Sequence, residues 1–357
     1  MDYKISKIVE QMPPSGIRAF FDLVLGMKDV ISLGVGEPDF VSPWHIREKA
    51  IYSLEQGFTS YTSNKGTKEL RQRIASFLKE RHGLSYDPEE EILITVGVSE
   101  GLDLAARAIL NPQDKVLIHD PCYVSYGPVV SLAGGQPIFL KTDIANGFKI
   151  TPDQIKKAIT KGVKALMLNY PCNPTGASYT KDELKDIARV VKKYGLLVIC
   201  DEVYDELTYD FEHTSLASLP GMKEHVIYLN GASKAYAMTG FRIGWACGPR
   251  KIIAGMTKVH QYTMLCASIT AQIAAEEGLK NGWKSVQAMK REYDRRRHFI
   301  VEALNEMGLD CHKPQGAFYV FPSIKRFKIK SMDFSKNLLM KHNVALVPGV
   351  AFGSSWD

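Results

Sequence analysis

No stretch of this 357-residue chain approaches the roughly 18 apolar residues that a membrane span needs. Met1 to Glu10 likewise holds no apolar core of signal-peptide length. Cysteine is sparse: six residues, at positions 122, 172, 200, 247, 266 and 311, with no Cys-x-x-Cys and no histidines at metal-ligand spacing. Such scattered cysteines read as reduced thiols, with no metal site. Charge of one sign is lacking too. The 45 Lys and Arg against 39 Asp and Glu leave a net +6, too diffuse for a nucleic-acid surface. Nothing repeats and no segment is of low complexity. A soluble, cytoplasmic protein without membrane or nucleic-acid partners is the expectation, long enough for one large and one smaller domain.

Against that plain background, residues 226–245 stand out. An apolar run of strand type, Val226 to Leu229, meets Asn230-Gly231, which reads as a turn pair. Ser233 and Lys234 follow among small neighbours, with Arg242 eight positions later. A nucleophilic lysine must be partly desolvated, because at its reference pKa of about 10.4 the amine stays protonated. Small flanking residues let a bulky ring approach the ε-amine. Ser233 and Arg242 offer a hydroxyl and a guanidinium fork suited to phosphate. Together they describe a lysine forming a Schiff base with a phosphorylated aldehyde, for which pyridoxal 5'-phosphate (PLP) is the candidate.

Short apolar runs alternate with amphipathic segments from Glu91 onward: residues 92–96, 116–119, 137–140, 165–168, 196–200, 226–229 and 243–247. Helix starts between them are explicit. Thr151-Pro-Asp-Gln154 and Thr180-Lys-Asp-Glu183 read as capping boxes, and a further helix is expected over 67–81. Alternation of this kind predicts an α/β fold around a buried, mainly parallel sheet. Asn173, Asp201, Ser233 and Lys234 each lie just beyond the carboxyl end of a run, the edge where open α/β sheets bind ligands. The first run ends in Gly97-Val98-Ser99-Glu100 and opens a helix expected over 101–110, whose free amides suit a phosphate. Asp201 serves either as a helix N-cap or as a carboxylate against a protonated ring nitrogen. Tyr204, three residues on, is within reach of a ring oxygen. Ile31-Ser-Leu-Gly-Val-Gly36-Glu-Pro-Asp39 is no dinucleotide fingerprint, because Glu37-Pro38 stands where a helix with a third glycine should open. Residues 316–321 look strand-like, and the three adjacent arginines at 295–297 read as a solvated helix face.

The pattern Ser233-Lys-Ala-Tyr-Ala-Met-Thr-Gly-Phe-Arg242-Ile-Gly-Trp245, with Asn173-Pro-Thr-Gly176 and Asp201-Glu-Val-Tyr204, resembles the fold-type I PLP enzymes. Within them it resembles class I and II aminotransferases of the prokaryotic and archaeal aspartate, alanine and aromatic branch. The resemblance implies a large domain with a mainly parallel seven-stranded sheet flanked by helices, over 41–280. It also implies a smaller α+β domain built from both chain ends, 1–40 with the N-terminal arm and 281–357. It assigns Lys234, Asp201 and Tyr204 to catalysis. Val98, Ser99, Tyr123, Asn173, Ser233 and Arg242 join them in holding PLP, with Tyr123 stacked on the ring and Asn173–Pro174 a candidate cis bond. Gly36, through its amide, and Asn173 would hold the substrate carboxylate. Tyr61 would reach the cofactor phosphate of a second subunit in a homodimer with shared active sites. The implied reaction moves an α-amino group between an L-amino acid and a 2-oxo acid by a ping-pong route. A PLP-dependent β-lyase, or a PLP-binding homologue impaired in catalysis, shares the same residues. Ser15-Gly-Ile-Arg18 and the surroundings of Tyr262 lean toward alanine and aromatic substrates. In the family, a further strand and helix beyond residues 347–353 carry an arginine for the substrate α-carboxylate. This chain has no residue matching that arginine before Asp357, so a shortened chain or altered activity is the expectation.

Overall fold

The computed structural model describes residues 4–12, 14, 16–17, 27, 29–34 and 36–357. Ser15 and Arg18, on which part of the substrate lean rests, lie outside the described residues. Nine strands are described: β1 Ile31–Ser32, β2 Ile92–Thr95, β3 Lys115–Asp120, β4 Gln136–Lys141, β5 Val163–Asn169, β6 Leu197–Asp201, β7 Val226–Gly231, β8 Gly244–Cys247 and β9 Val344–Ala345. β1 pairs in parallel with β9, joining the two ends of the chain. The other seven form one sheet in the order β2-β8-β7-β6-β5-β3-β4, in which β8 alone runs antiparallel to its neighbours. These are the seven apolar runs of the sequence.

Why the runs are continuous and not alternating is visible in the core. Leu117, Leu166, Val198 and Tyr228 face one apolar layer with helices Lys68–His82, Lys181–Tyr194 and Ile269–Asn281. Their neighbours Ile118, Met167, Ile199 and Ile227 face the other, with helices Gly97–Ile109 and Arg250–Thr263. Both sheet faces are covered over the inner strands, so consecutive residues in their buried middles are apolar. Each fully buried Ile, Leu or Val contributes about 1.5–3 kcal/mol. Local signals fix where the flanking helices start. Thr151 and Thr180 both form complete capping boxes, with Gln154 and Glu183, and Thr67 accepts from the Leu70 amide. Among the described residues, no helix is long and apolar enough to cross a membrane.

The structure corrects several expectations. Asn230-Gly231 is no turn: it ends β7, paired with Trp245 and Gly244 of β8. A neighbouring strand on each side overrides the local turn preference. Gly231 is required there, since a Cβ would lie 2.9 Å from the Ile243 carbonyl. The helix expected over 101–110 starts at Gly97, because the Glu100 carboxylate turns back to accept the Val96 amide at 2.5 Å. Val98 and Ser99 therefore sit in its first turn. Residues 316–321 form no strand. Gly316 makes one isolated bridge to Thr208, then Ala317 takes φ +58° and the aromatic rings that follow pack on different partners. Of the three arginines, Arg297 is not solvated. It is buried, with a two-pronged contact to Asp210 at 2.8 Å and a bond to the Pro314 carbonyl.

Candidate active site

β5, β6 and β7 end side by side, with Asn169 opposite Asp201 and Asp201 opposite Leu229. Loops leaving these ends meet in one place. β7 passes into the single-turn helix Ala232–Ala235, which presents Lys234 with only Ala232, Ser233 and Ala235 around it in the chain. The Lys234 Nζ donates to the Gly36 carbonyl at 2.6 Å and lies 5.6 Å from the ring centroids of both Tyr204 and Phe318. Burial lowers its pKa to about 8. The negative charges of Glu37 and Asp201 pull it back up, while Arg242 pushes it further down.

Asp201 is buried at the end of β6. Its Oδ2 accepts from the Tyr126 hydroxyl at 2.8 Å and its Oδ1 from the Val203 amide at 3.3 Å. Burial raises its pKa to about 6, against the pull of Tyr126, Val203 and Lys234. It is thus mostly ionised at neutral pH. The bonds to Tyr126 and Val203 make Asp201 a held carboxylate facing the lysine, and no regular α-helix follows for it to cap.

A row of hydroxyl and amide groups closes the site. The Tyr204 and Tyr319 hydroxyls are 2.5 Å apart, and Asn173 Nδ2 donates to the Tyr319 oxygen at 3.3 Å. The Asn173–Pro174 bond is cis, and the Asn173 amide donates to Asn169 Oδ1 at 2.8 Å. Asn173 Oδ1 is buried without a partner. Tyr123 is half-buried, edge-on to Tyr126 with ring centroids 5.6 Å apart.

On another side, Arg242 takes φ +51° and brings its guanidinium against the start of helix Gly97–Ile109. A Cβ on Gly97 would come within 2.7 Å of Arg242 Nη2, so only glycine allows this approach. Ser233 is buried nearby in sequence to Lys234, and the Arg242 Nη1 donates to the Thr239 carbonyl at 3.1 Å. An amine of lowered pKa, an ionised buried carboxylate, an unpartnered amide oxygen and a guanidinium at a helix N-terminus suit a phosphorylated pyridine aldehyde.

The family described as aminotransferase class I and II matches residues 28–356. The chain belongs to the class I and II aminotransferases. They are PLP-dependent enzymes that transfer amino groups, and this chain is a PLP-dependent aminotransferase. It is 52% identical to the putative aminotransferase YugH of Bacillus subtilis, over 99% of this chain and 92% of that one. Identity to the aspartate aminotransferase of Pyrococcus abyssi is 45%, with the same two coverages. The solved aspartate aminotransferase of Thermus thermophilus with maleate superposes with a TM-score of 0.95 at 37% identity, covering 99% of this chain and 93% of that one.

In this aminotransferase two expected residues sit differently from the rest. Gly36 meets Lys234 through its carbonyl, a contact separate from the one expected of its amide with the substrate carboxylate. Tyr61 is 83% exposed and does not pack into the cluster. Sequence reasoning missed Tyr126, Tyr319 and Glu37. Tyr126 follows Tyr123 by three positions and Tyr319 lies in the aromatic run read as a strand, but neither position carries a local motif.

Proposed function

We propose that Lys234 holds PLP as a Schiff base and that the enzyme moves the α-amino group of an L-amino acid to a 2-oxo acid. The observation that carries this is the Lys234 amine just beyond the end of β7, bonded to the Gly36 carbonyl at 2.6 Å and with a pKa that burial lowers to about 8. When bound, PLP supplies a pyridinium ring that accepts the electron pair released at the substrate α-carbon. Asp201 would keep the ring nitrogen protonated, with Tyr126 and the Val203 amide holding its carboxylate in place. Tyr204 and Asn173 would hold the ring oxygen, Tyr123 would cover a ring face, and Ser233, Arg242 and the Val98 and Ser99 amides would anchor the phosphate. Gly36 and Asn173 face the substrate carboxylate. Once free, Lys234 Nζ takes the α-proton and hands it on, acting first as base and then as acid. The first 2-oxo acid leaves before the second enters, a ping-pong order.

Two chains complete the site in this reading. Tyr61 and Tyr262 are 83% and 86% exposed, and Trp44, Phe58 and Met264 are also left uncovered. Large apolar side chains left uncovered in the single chain support a homodimer in which Tyr61 reaches the phosphate of the other subunit. Six free thiols, five of them buried, favour a reducing cytoplasmic setting.

The test is the visible spectrum of the purified chain with PLP, before and after L-glutamate, L-aspartate, L-alanine or L-phenylalanine. A Lys234-dependent band should disappear with one of these donors, releasing one 2-oxo acid per site and no ammonia. A band that ignores every donor, or a release of ammonia, refutes the proposed reaction.

A further inference from the structure

The loop that carries Asp201 and Tyr204 also carries two carboxylates with no part in the chemistry above. Glu202 follows Asp201 and Asp205 follows Tyr204. Their side chains are 0% and 2% exposed. Burying a carboxylate is costly unless several donors satisfy it, so each must answer to a dedicated set of partners.

Those partners lie on the segments that carry the other site residues. Glu202 accepts from the Tyr170 hydroxyl at 3.2 Å and the Ser215 hydroxyl at 2.8 Å, and contacts His213 Nε2 at 2.7 Å. Tyr170 opens the turn that holds Asn173. Asp205 Oδ2 contacts His82 Nε2 at 3.2 Å, and accepts from Asn230 Nδ2 at 2.8 Å and Tyr228 Oη at 3.4 Å. Its Oδ1 accepts from the Glu206 amide at 2.7 Å. Asn230 in turn uses its own Oδ1 to hold the Gly231 amide at 2.6 Å, three residues before Lys234. A second tie runs beside it, from the Glu202 amide to the Leu229 carbonyl at 2.9 Å. Asp205 thus clamps the end of β7 to the loop behind Tyr204.

We propose that Asp205 is a positioning residue for amino-group transfer: through Asn230 it sets the separation between the Tyr204 hydroxyl and the Lys234 amine. The proposal rests on the roles given to those two residues under Proposed function. Burial alone would raise the Asp205 pKa. The bond to His82 and the charges of His82 and His213 outweigh it and lower the pKa, so the clamp keeps its charge. A neutral amide in its place has one acceptor oxygen where Asp205 uses two, so its NH2 would face either the Asn230 side chain or the Glu206 amide and push the segments apart. Displacement of this kind, remote from the reacting atoms, costs about tenfold to a hundredfold in rate.

The experiment compares Asp205→Asn, Asn230→Asp and the double variant in the PLP-loaded enzyme. Each single change breaks the carboxylate–amide pair, and the double restores it with reversed polarity. The readouts are the pH midpoint of the Lys234-dependent visible band, kcat, KM and Tm. Each single variant is expected to move the midpoint and lower kcat at least tenfold with little change in KM, and the double to recover most of both. Folded single variants with an unmoved midpoint and unchanged kcat overturn the proposal. So does a double variant no better than the poorer single. If Asp205→Asn does not fold, Asn230→Ser reads the same tie, because the carboxylate keeps its His82 and Tyr228 contacts; an unmoved midpoint there overturns it equally. A wild-type chain with no Lys234-dependent band overturns the cofactor assignment along with the tie. A normal wild-type band with unmoved variants overturns the tie alone.

Discussion

The lowered pKa of Lys234 makes a quantitative prediction about cofactor capture. At its ordinary 10.5, roughly one lysine amine in three thousand is neutral at pH 7. At about 8 the fraction is roughly one in eleven, a gain of about 300-fold in the reactive form. The expected outcome is that the cofactor-free chain captures PLP with a rate that climbs about tenfold per pH unit below 8 and levels above it. N-acetyl-lysine, measured alongside, corrects for ionisation of PLP itself and should still be climbing at pH 9. Glu37 and Asp201 hold a negative charge near the amine and favour its protonated form. Glu37→Gln removes one of those charges, so the midpoint should fall below 8. The assay is growth of the visible band after mixing, from pH 6 to 10. A chain-to-N-acetyl-lysine rate ratio that stays flat across this range would show a solvated lysine and refute the reasoning. An upward move in Glu37→Gln would refute the sign.

Tyr126→Phe removes a bond that holds the Asp201 carboxylate down, so its pKa should rise from about 6. A bond to a charged group is worth roughly 1.5–3 kcal/mol, so the acid limb of the kcat/KM profile should move up by about one to two pH units. Gly97→Ala would place a Cβ 2.7 Å from Arg242 Nη2 at φ +70°; PLP affinity by equilibrium dialysis should fall at least about tenfold, the left-handed backbone alone costing roughly 1–2 kcal/mol. Arg297→Met removes the two-pronged contact to Asp210, leaving it only Lys313 at 3.7 Å, and the bond to the Pro314 carbonyl. Because Asp210 is 44% exposed, urea unfolding should show a loss of about 2–3 kcal/mol, below the roughly 3–5 of a fully buried pair.

Much of this enzyme is legible along the chain. The seven apolar runs became the seven strands because the middle of a strand covered on both faces is apolar on consecutive residues, and that demand is written locally. Capping boxes at Thr151 and Thr180 carry all their partners within four residues. Lys234, Asp201 and Asn173 were readable because each follows a run, where a parallel sheet gathers its loop ends. Where local preference competed with the sheet, it lost: Asn230-Gly231 reads as a turn and ends a central strand. Only the tertiary structure decided what surrounds those residues. Tyr126 meets Asp201 across 75 positions, Tyr319 meets Tyr204 across 115, and Gly36 meets Lys234 across 198. The amine's acidity, the carboxylate's charge and the burial of Arg297 all depend on which distant groups displace water, and no neighbouring residue in the chain records that.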